Sequence, residues 1–242
     1  ATGENYRIQH SDAAKARAKL ILTDLWTITD GGPSFGTGIL IPSFDDGNVS
    51  QYLAYEDLVS QGEKGTFYIV SSKIGTEGYF TWAQLQEMLA AGMDIQCHTY
   101  DHATLTTLSE AEVYAEYDDL DTQFIANSIP AAKHTAYPHS QHNANVRTWT
   151  ATRRLTGRVV AGGYITPSTD KMNLPNYDMS TNINTLKSYM LNAQNNLSAI
   201  MLYAHGIDGA YLPRTTFNEI IDYAQSIGMS IMTISELYPM II

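Results

Sequence analysis

Two aspartates stand side by side in Ser43-Phe44-Asp45-Asp46-Gly47, directly after the apolar run Gly38-Ile39-Leu40-Ile41-Pro42. Adjacent carboxylates repel, and each costs several kcal/mol to take out of water unless something pairs with it. A partner for them must lie elsewhere in the chain. His98 and His102 are spaced i, i+4. On a helical turn their imidazoles would point the same way, as a histidine pair that grips a divalent cation does. One of the two aspartates would complete a two-histidine, one-carboxylate site. The other would be left as a general base on metal-activated water. Spacing does not say which aspartate takes which part. His205, in Leu202-Tyr203-Ala204-His205-Gly206, follows another apolar run. Singly, each feature has a plain meaning: Asp-Asp-Gly is a turn, the histidine pair a surface or cap feature, His205 a satisfied core histidine. Their placement together is what carries weight.

The elements that must position these residues alternate along the chain. Apolar runs that predict buried strands are Gly38–Ser43, Gly65–Val70, Met93–Cys97, Lys133–Tyr137, Arg158–Gly162, Ala199–Ala204 and Ser230–Ile234. Helical patterns lie between them. Thr81-x-x-Gln84 and Ser109-x-x-Glu112 are capping boxes, the second flanked by a Leu108/Val113 staple, and Thr216-x-x-Glu219 reads as a third. Weaker helical patterns fall near 50–61, 143–155 and 184–195. This alternation predicts an α/β fold with a parallel sheet and crossover helices, open or closed into a barrel. In a parallel barrel, chemistry gathers where strands end. Asp45-Asp46, His98 to His102, Tyr137-Pro138-His139-Ser140 and His205 all fall there. Residues 1–37 are expected to form an N-terminal extension, with a helix over Ala13–Leu25 and a Gly-rich loop after it, and residues 38–242 the α/β domain that would carry the chemistry.

Composition narrows the partners. The 242 residues carry 14 Lys and Arg against 25 Asp and Glu, a net charge of −11, with no basic block. Nucleic acid and anionic membranes are therefore disfavoured. No apolar run approaches the ~20 residues of a membrane helix. Sixteen tyrosines are compatible with stacking on sugars. The one cysteine, Cys97, allows neither an intrachain disulfide nor a thiolate cluster, and reads as a small buried residue. Nothing in the sequence sets an oligomeric state. The chain opens Ala1-Thr2-Gly3 with no basic and apolar leader, so a processed start is expected.

The order Ser43-Phe44-Asp45-Asp46-Gly47, His98-Thr99-Tyr100-Asp101-His102, Tyr137-Pro138 and Leu202-Tyr203-Ala204-His205 resembles the polysaccharide deacetylases of carbohydrate esterase family 4. The likeness runs from about Gly38 to Ser235. It implies a distorted seven-stranded (β/α) barrel. It implies a divalent metal, zinc before cobalt, nickel or manganese, held by Asp46, His98 and His102. Asp45 would be the general base and His205 the general acid. The implied reaction is removal of N- or O-linked acetyl groups from an acetylated glycan by metal-bound water, with an oxyanion donor at a backbone N–H near His139. Substrate contacts would fall to Tyr137, Pro138, His139 and Tyr164, although His139 and His142 also read as a solvated pair on one loop. An extracellular or cell-surface location is expected for such an enzyme.

Two departures stand out. Family members often carry an arginine just before the motif-three proline to hold the base. Here the stretch is His134-Thr135-Ala136-Tyr137-Pro138, and Arg158, Arg153 or Arg154 must substitute. The motif-four Asp and Trp have only Asp178 and Tyr164 as weak stand-ins, which leaves the acid role of His205 without its usual support. An amidohydrolase on a small amide or imide, and a glycan-binding barrel without chemistry, are the competing expectations.

Overall fold

A computed structural model describes residues 34–242. The expected helix over Ala13–Leu25 and the Gly-rich loop to Pro33 lie outside the described residues. Among the described residues, eight parallel strands form one sheet: β1 Ile39–Phe44, β2 Thr66–Ile69, β3 Asp94–Cys97, β4 His134–Ala136, β5 Thr156–Arg158, β6 Tyr177–Asp178, β7 Ala199–Ala204 and β8 Ser230–Ile231. Seven run in the order β5-β4-β3-β2-β1-β7-β6 and curl into a half-barrel. The eighth pairs with the lower part of β1, at Ile39 and Leu40, while β2 pairs with its upper part, at Ser43 and Phe44. One edge of β1 is thus divided between two strands.

Seven α-helices among the described residues flank the sheet: α1 Tyr52–Ser60, α2 Trp82–Ala90, α3 Glu110–Ala126, α4 Ala144–Thr150, α5 Ile183–Asn195, α6 Arg214–Ser226 and α7 Ile234–Leu237. The capping boxes of Thr81 and Ser109 start α2 and α3. The expected box at Thr216 does not form. Helix α6 begins earlier, after Pro213, whose fixed φ already suits a helix start. A further capping box, Thr233 with Glu236, starts α7. The fifth strand also lies earlier than expected, ending rather than beginning at Arg158, and the two-residue β6 was not anticipated. No helix among the described residues is long and apolar enough to cross a membrane.

Period-two alternation splits the core. On β1 and β7, Ile39, Ile41, Ala199 and Met201 join Tyr68, Ala136, Leu174, Ile234 and Leu237 inside the curl. Leu40, Phe44, Ile200, Leu202 and Ala204 face the helices. Strands buried on both faces read as unbroken apolar runs, which is why they were visible in the sequence. Continuing the inward set 39, 41, 43 along β1 brings Asp45 to the interior face.

Candidate metal centre and catalytic cleft

Asp45 is 2% exposed, and its Oδ2 accepts from Arg158 Nη2 at 2.5 Å. In a flat sheet β5 and β1 would lie about 19 Å apart, four strand spacings. The contact exists because the sheet curls and both side chains enter its interior. The Arg158 guanidinium lies between the rings of Tyr68 and Tyr203, 5.5 and 5.1 Å from their centroids. The amide of Asn176, oriented by its partners, accepts from Arg158 Nη1 at 2.9 Å. Gly157 precedes the arginine; a Cβ there would stand 2.2 Å from the Tyr137 hydroxyl. Burial alone would raise the Asp45 pKa, but the Arg158 charge, with His98 and His205, offsets this and holds the carboxyl below its usual range. Asp45 Oδ1 is buried and has no hydrogen-bond partner.

Asp46 turns away from its neighbour. Its φ of +74°, followed by +82° at Gly47, breaks the strand sharply. Asp tolerates the left-handed region better than most residues. Its Oδ1 lies 3.5 Å from both His98 Nε2 and His102 Nε2, and the two nitrogens are 3.2 Å apart. Three ligand atoms about 2.1 Å from one tetrahedral cation would sit about 3.4 Å from each other. Asp46 Oδ1 has no hydrogen-bond donor, which suits a cation ligand. His98 Nδ1 lies 2.8 Å from the Ala136 carbonyl; that bond puts the proton on Nδ1 and leaves Nε2 as the lone-pair nitrogen. Burial pushes both imidazoles down to about 4, so they are neutral at pH 7 and able to ligate. The donor set and its spacing fit a divalent metal.

The i, i+4 pair does not meet on a helical turn, as spacing suggested. Residues 98–102 form an irregular turn after β3, with left-handed φ at Thr99 (+68°) and His102 (+69°). For a β-branched threonine this is strained. Neighbours hold the turn in place: Ser72 N–H donates to Tyr100 O, and Thr99 Oγ1 accepts from His102 N–H. One oxygen of Glu116, on α3, accepts from both Tyr100 N–H (3.0 Å) and Asp101 N–H (3.1 Å). No sequence pattern pointed to Glu116; it lies on a surface-patterned helix face.

His205 is exposed beyond β7. Its ring meets Tyr203 edge-on at 5.4 Å, and no hydrogen bond reaches the imidazole among the described residues. Asp178 shares a cavity of about 230 Å³ with His205, Ser180 and Tyr211, but its Oδ1 accepts from Ser180 N–H. A second cavity of about 240 Å³ continues past Ser180, Asn182, Tyr211 and Thr216.

A family description, polysaccharide deacetylase, matches residues 36–159, about half of the chain. The chain belongs to the polysaccharide deacetylase family. It is 30% identical over 102 residues to the Bacillus subtilis (strain 168) protein YxkH, which is named for the same family. That match covers 42% of this chain and 37% of the relative, so the chain spans little more than a third of the curated relative it matches. Among solved structures, the Xyl-CE4 domain of a multidomain xylanase from the hindgut metagenome of Trinervitermes trinervoides superimposes with a TM-score of 0.60 at 18% identity, covering 84% of this chain and 90% of that one. The peptidoglycan deacetylase PdaC from Bacillus subtilis gives 0.58 at 18% identity, covering 88% and 93%. At such identities these two speak for the fold.

Set against the deacetylase pattern, only Arg158 of the three arginines reaches Asp45. Arg153 pairs with Asp118, and Arg154 with Asp121. Tyr137 is not a substrate contact. Its ring is 1% exposed and its hydroxyl donates to Met172 O, because the motif-three strand turns it into the core. Pro138 is buried as well. Tyr164 packs on Tyr177, their ring centroids 6.1 Å apart. His139 is exposed and His142 half-buried on one loop; the His139 ring lies 4.4 Å from that of His102, and His142 stacks on Tyr137.

Proposed function

We propose that this deacetylase-family chain hydrolyses acetyl groups from a glycan with a divalent metal, zinc first, held by Asp46, His98 and His102. The convergence of three ligand atoms within 3.5 Å beside a buried, arginine-held Asp45 carries the proposal. A bound cation would polarise the acetyl carbonyl and acidify a water within reach of Asp45. The residues of the chain supply the rest. Arg158 occupies Asp45 Oδ2, so Oδ1 is the oxygen left to accept the proton of the attacking water. The lowered Asp45 pKa keeps that oxygen ionised at neutral pH. Water oxygen bonds to the acetyl carbon, and the backbone N–H of His139 is the donor offered to the oxyanion. The C–N or C–O bond then breaks as His205 gives its proton to the leaving nitrogen or oxygen. The products are acetate and a free amine or hydroxyl.

The cleft favours a sugar over a small imide. It is open, extends past His205 in two adjoining cavities, and offers the exposed face of Tyr211 among neutral hydroxyl and amide groups. The test is acetate release from chitooligosaccharides, acetylated xylan and an aryl acetate, with metal-stripped protein and with zinc or cobalt restored. Metal-dependent release from a glycan is the expected result. Turnover of a small cyclic imide with no glycan deacetylated would overturn it.

A further inference from the structure

Strands β1 and β7 pair in register up to Phe44 and Ala204, and Asp45 N–H still donates to Ala204 O at 3.0 Å. One residue later the ladder stops. The carbonyls of Asp45 and His205 then need donors from elsewhere. Both find the same one. Gln51 is 0% exposed, and its Nε2 donates to Asp45 O and, at 3.0 Å, to His205 O. Its other amide atom, Oε1, is buried with no hydrogen-bond partner. The side chain is therefore held by its donor, whose two hydrogens serve two carbonyls.

The surroundings fix this amide. Gln51 ends a short helical turn, Val49–Gln51, capped by Asn48, whose side chain accepts from Ser50 N–H at 2.9 Å. Ser50 Oγ in turn accepts from Ile207 N–H at 3.1 Å. A Cβ at Gly206 would stand 2.6 Å from Ser50 Oγ and 2.6 Å from the Tyr211 ring, so only glycine lets the two loops approach this closely. The loop after β1 and the loop after β7 are thus joined at two consecutive points, by Ser50 and by Gln51.

We infer that Gln51 is a positioning residue that sets the spacing of Asp45 and His205, one amide holding the backbone of both; this rests on the deacetylase reading above. A general base and a general acid working on one acetyl bond must be placed together, and an error near 1 Å costs about 10²-fold. His205 has no side-chain hydrogen bond to hold it, so its backbone carries its placement. The inference concerns Asp45 and His205 alone: Gln51 makes no hydrogen bond to Asp46, His98 or His102.

Leaving-group dependence tests this. A nitrophenolate departs without a proton, whereas a sugar amine or alkoxide needs one from His205. Gln51→Met removes the donor at nearly constant volume. For the variant, kcat on the acetylated glycan is expected to fall roughly 30-fold or more, and kcat on 4-nitrophenyl acetate roughly 3-fold, a tenfold change in their ratio. KM and cobalt affinity, read from the visible spectrum, should stay within about threefold. In the His205→Ala background the same change should no longer move the ratio. Should Gln51→Met fail to fold, Gln51→Glu keeps the shape and presents at most one hydrogen to the two carbonyls; the ratio should move the same way. Equal losses on both substrates, or no loss, would overturn the inference while leaving the deacetylase reading intact. A wild-type protein that releases no acetate from any glycan overturns both.

Discussion

The two sides of the cleft are built differently. On the β3 side, His98 and His102 are buried or nearly so, with a ring nitrogen tied to a backbone carbonyl and a strained turn pinned by Glu116, Ser72 and Thr99. On the β7 side, His205 is exposed, its imidazole free of hydrogen bonds among the described residues, in an open cavity. On the proposed reading a metal needs its ligands placed before it arrives, so strain is stored there and hydrogen bonds offset it. On the same reading a leaving group arrives with the substrate, and the substrate would complete that side.

The contrast can be broken most severely at Asp46. Asp46→Ala should abolish tight zinc binding and lower acetate release by at least about 10³-fold, checked by metal titration and product assay. Next comes the pair that spans the interior. Arg158→Met strands a buried carboxylate and should cost about 3–5 kcal/mol in a denaturant melt, with activity lost alongside. Glu116→Ala should weaken metal affinity about 10- to 100-fold through the turn alone, while Glu116→Gln, which keeps an acceptor for both N–H groups, should recover most of it. On the β7 side, Tyr211→Ala should raise KM for an oligosaccharide about 3- to 10-fold and leave metal affinity unmoved, which is the sharpest separation of the two halves.

A last test concerns burial away from the site. His134 is buried, and burial, with Lys133 and Arg154, lowers its pKa to about 3. The unfolded chain takes up that proton near pH 6.5, so stability is fully present above pH 6.5 and falls as pH drops toward 3. His134→Gln should flatten the pH dependence of unfolding in this window by about 1 kcal/mol per pH unit, measured against wild type in urea.

The strands, the barrel class and the grouping of Asp46, His98 and His102 could be read from the sequence because each leaves a local trace. Buried parallel strands are unbroken apolar runs, and Asp46, His98 and His102 are rare residue types at strand ends. Arg158 could only be named among three arginines, since its choice depends on curvature that brings β5 opposite β1. Tyr137 was misjudged because a tyrosine beside a motif proline looks the same whether its ring faces cleft or core. Glu116 and Gln51 act through backbone groups of distant residues, and such contacts leave no spacing to find. The two histidines converge as their spacing suggests, but through a strained turn rather than a helical one.

The divided edge of β1 has a consequence for how the chain acquires its shape. Its lower part is paired by residues 230–231 and its upper part by residues 66–67, 191 and 23 positions downstream. The local half of that edge can zip early, and the remote half must wait for a large loop to close. Until then the floor of the curl, at Ile39 and Leu40, presents unpaired amides next to apolar side chains, an invitation to stick to another nascent copy. Refolding yield should therefore depend on protein concentration more steeply than the final stability would suggest.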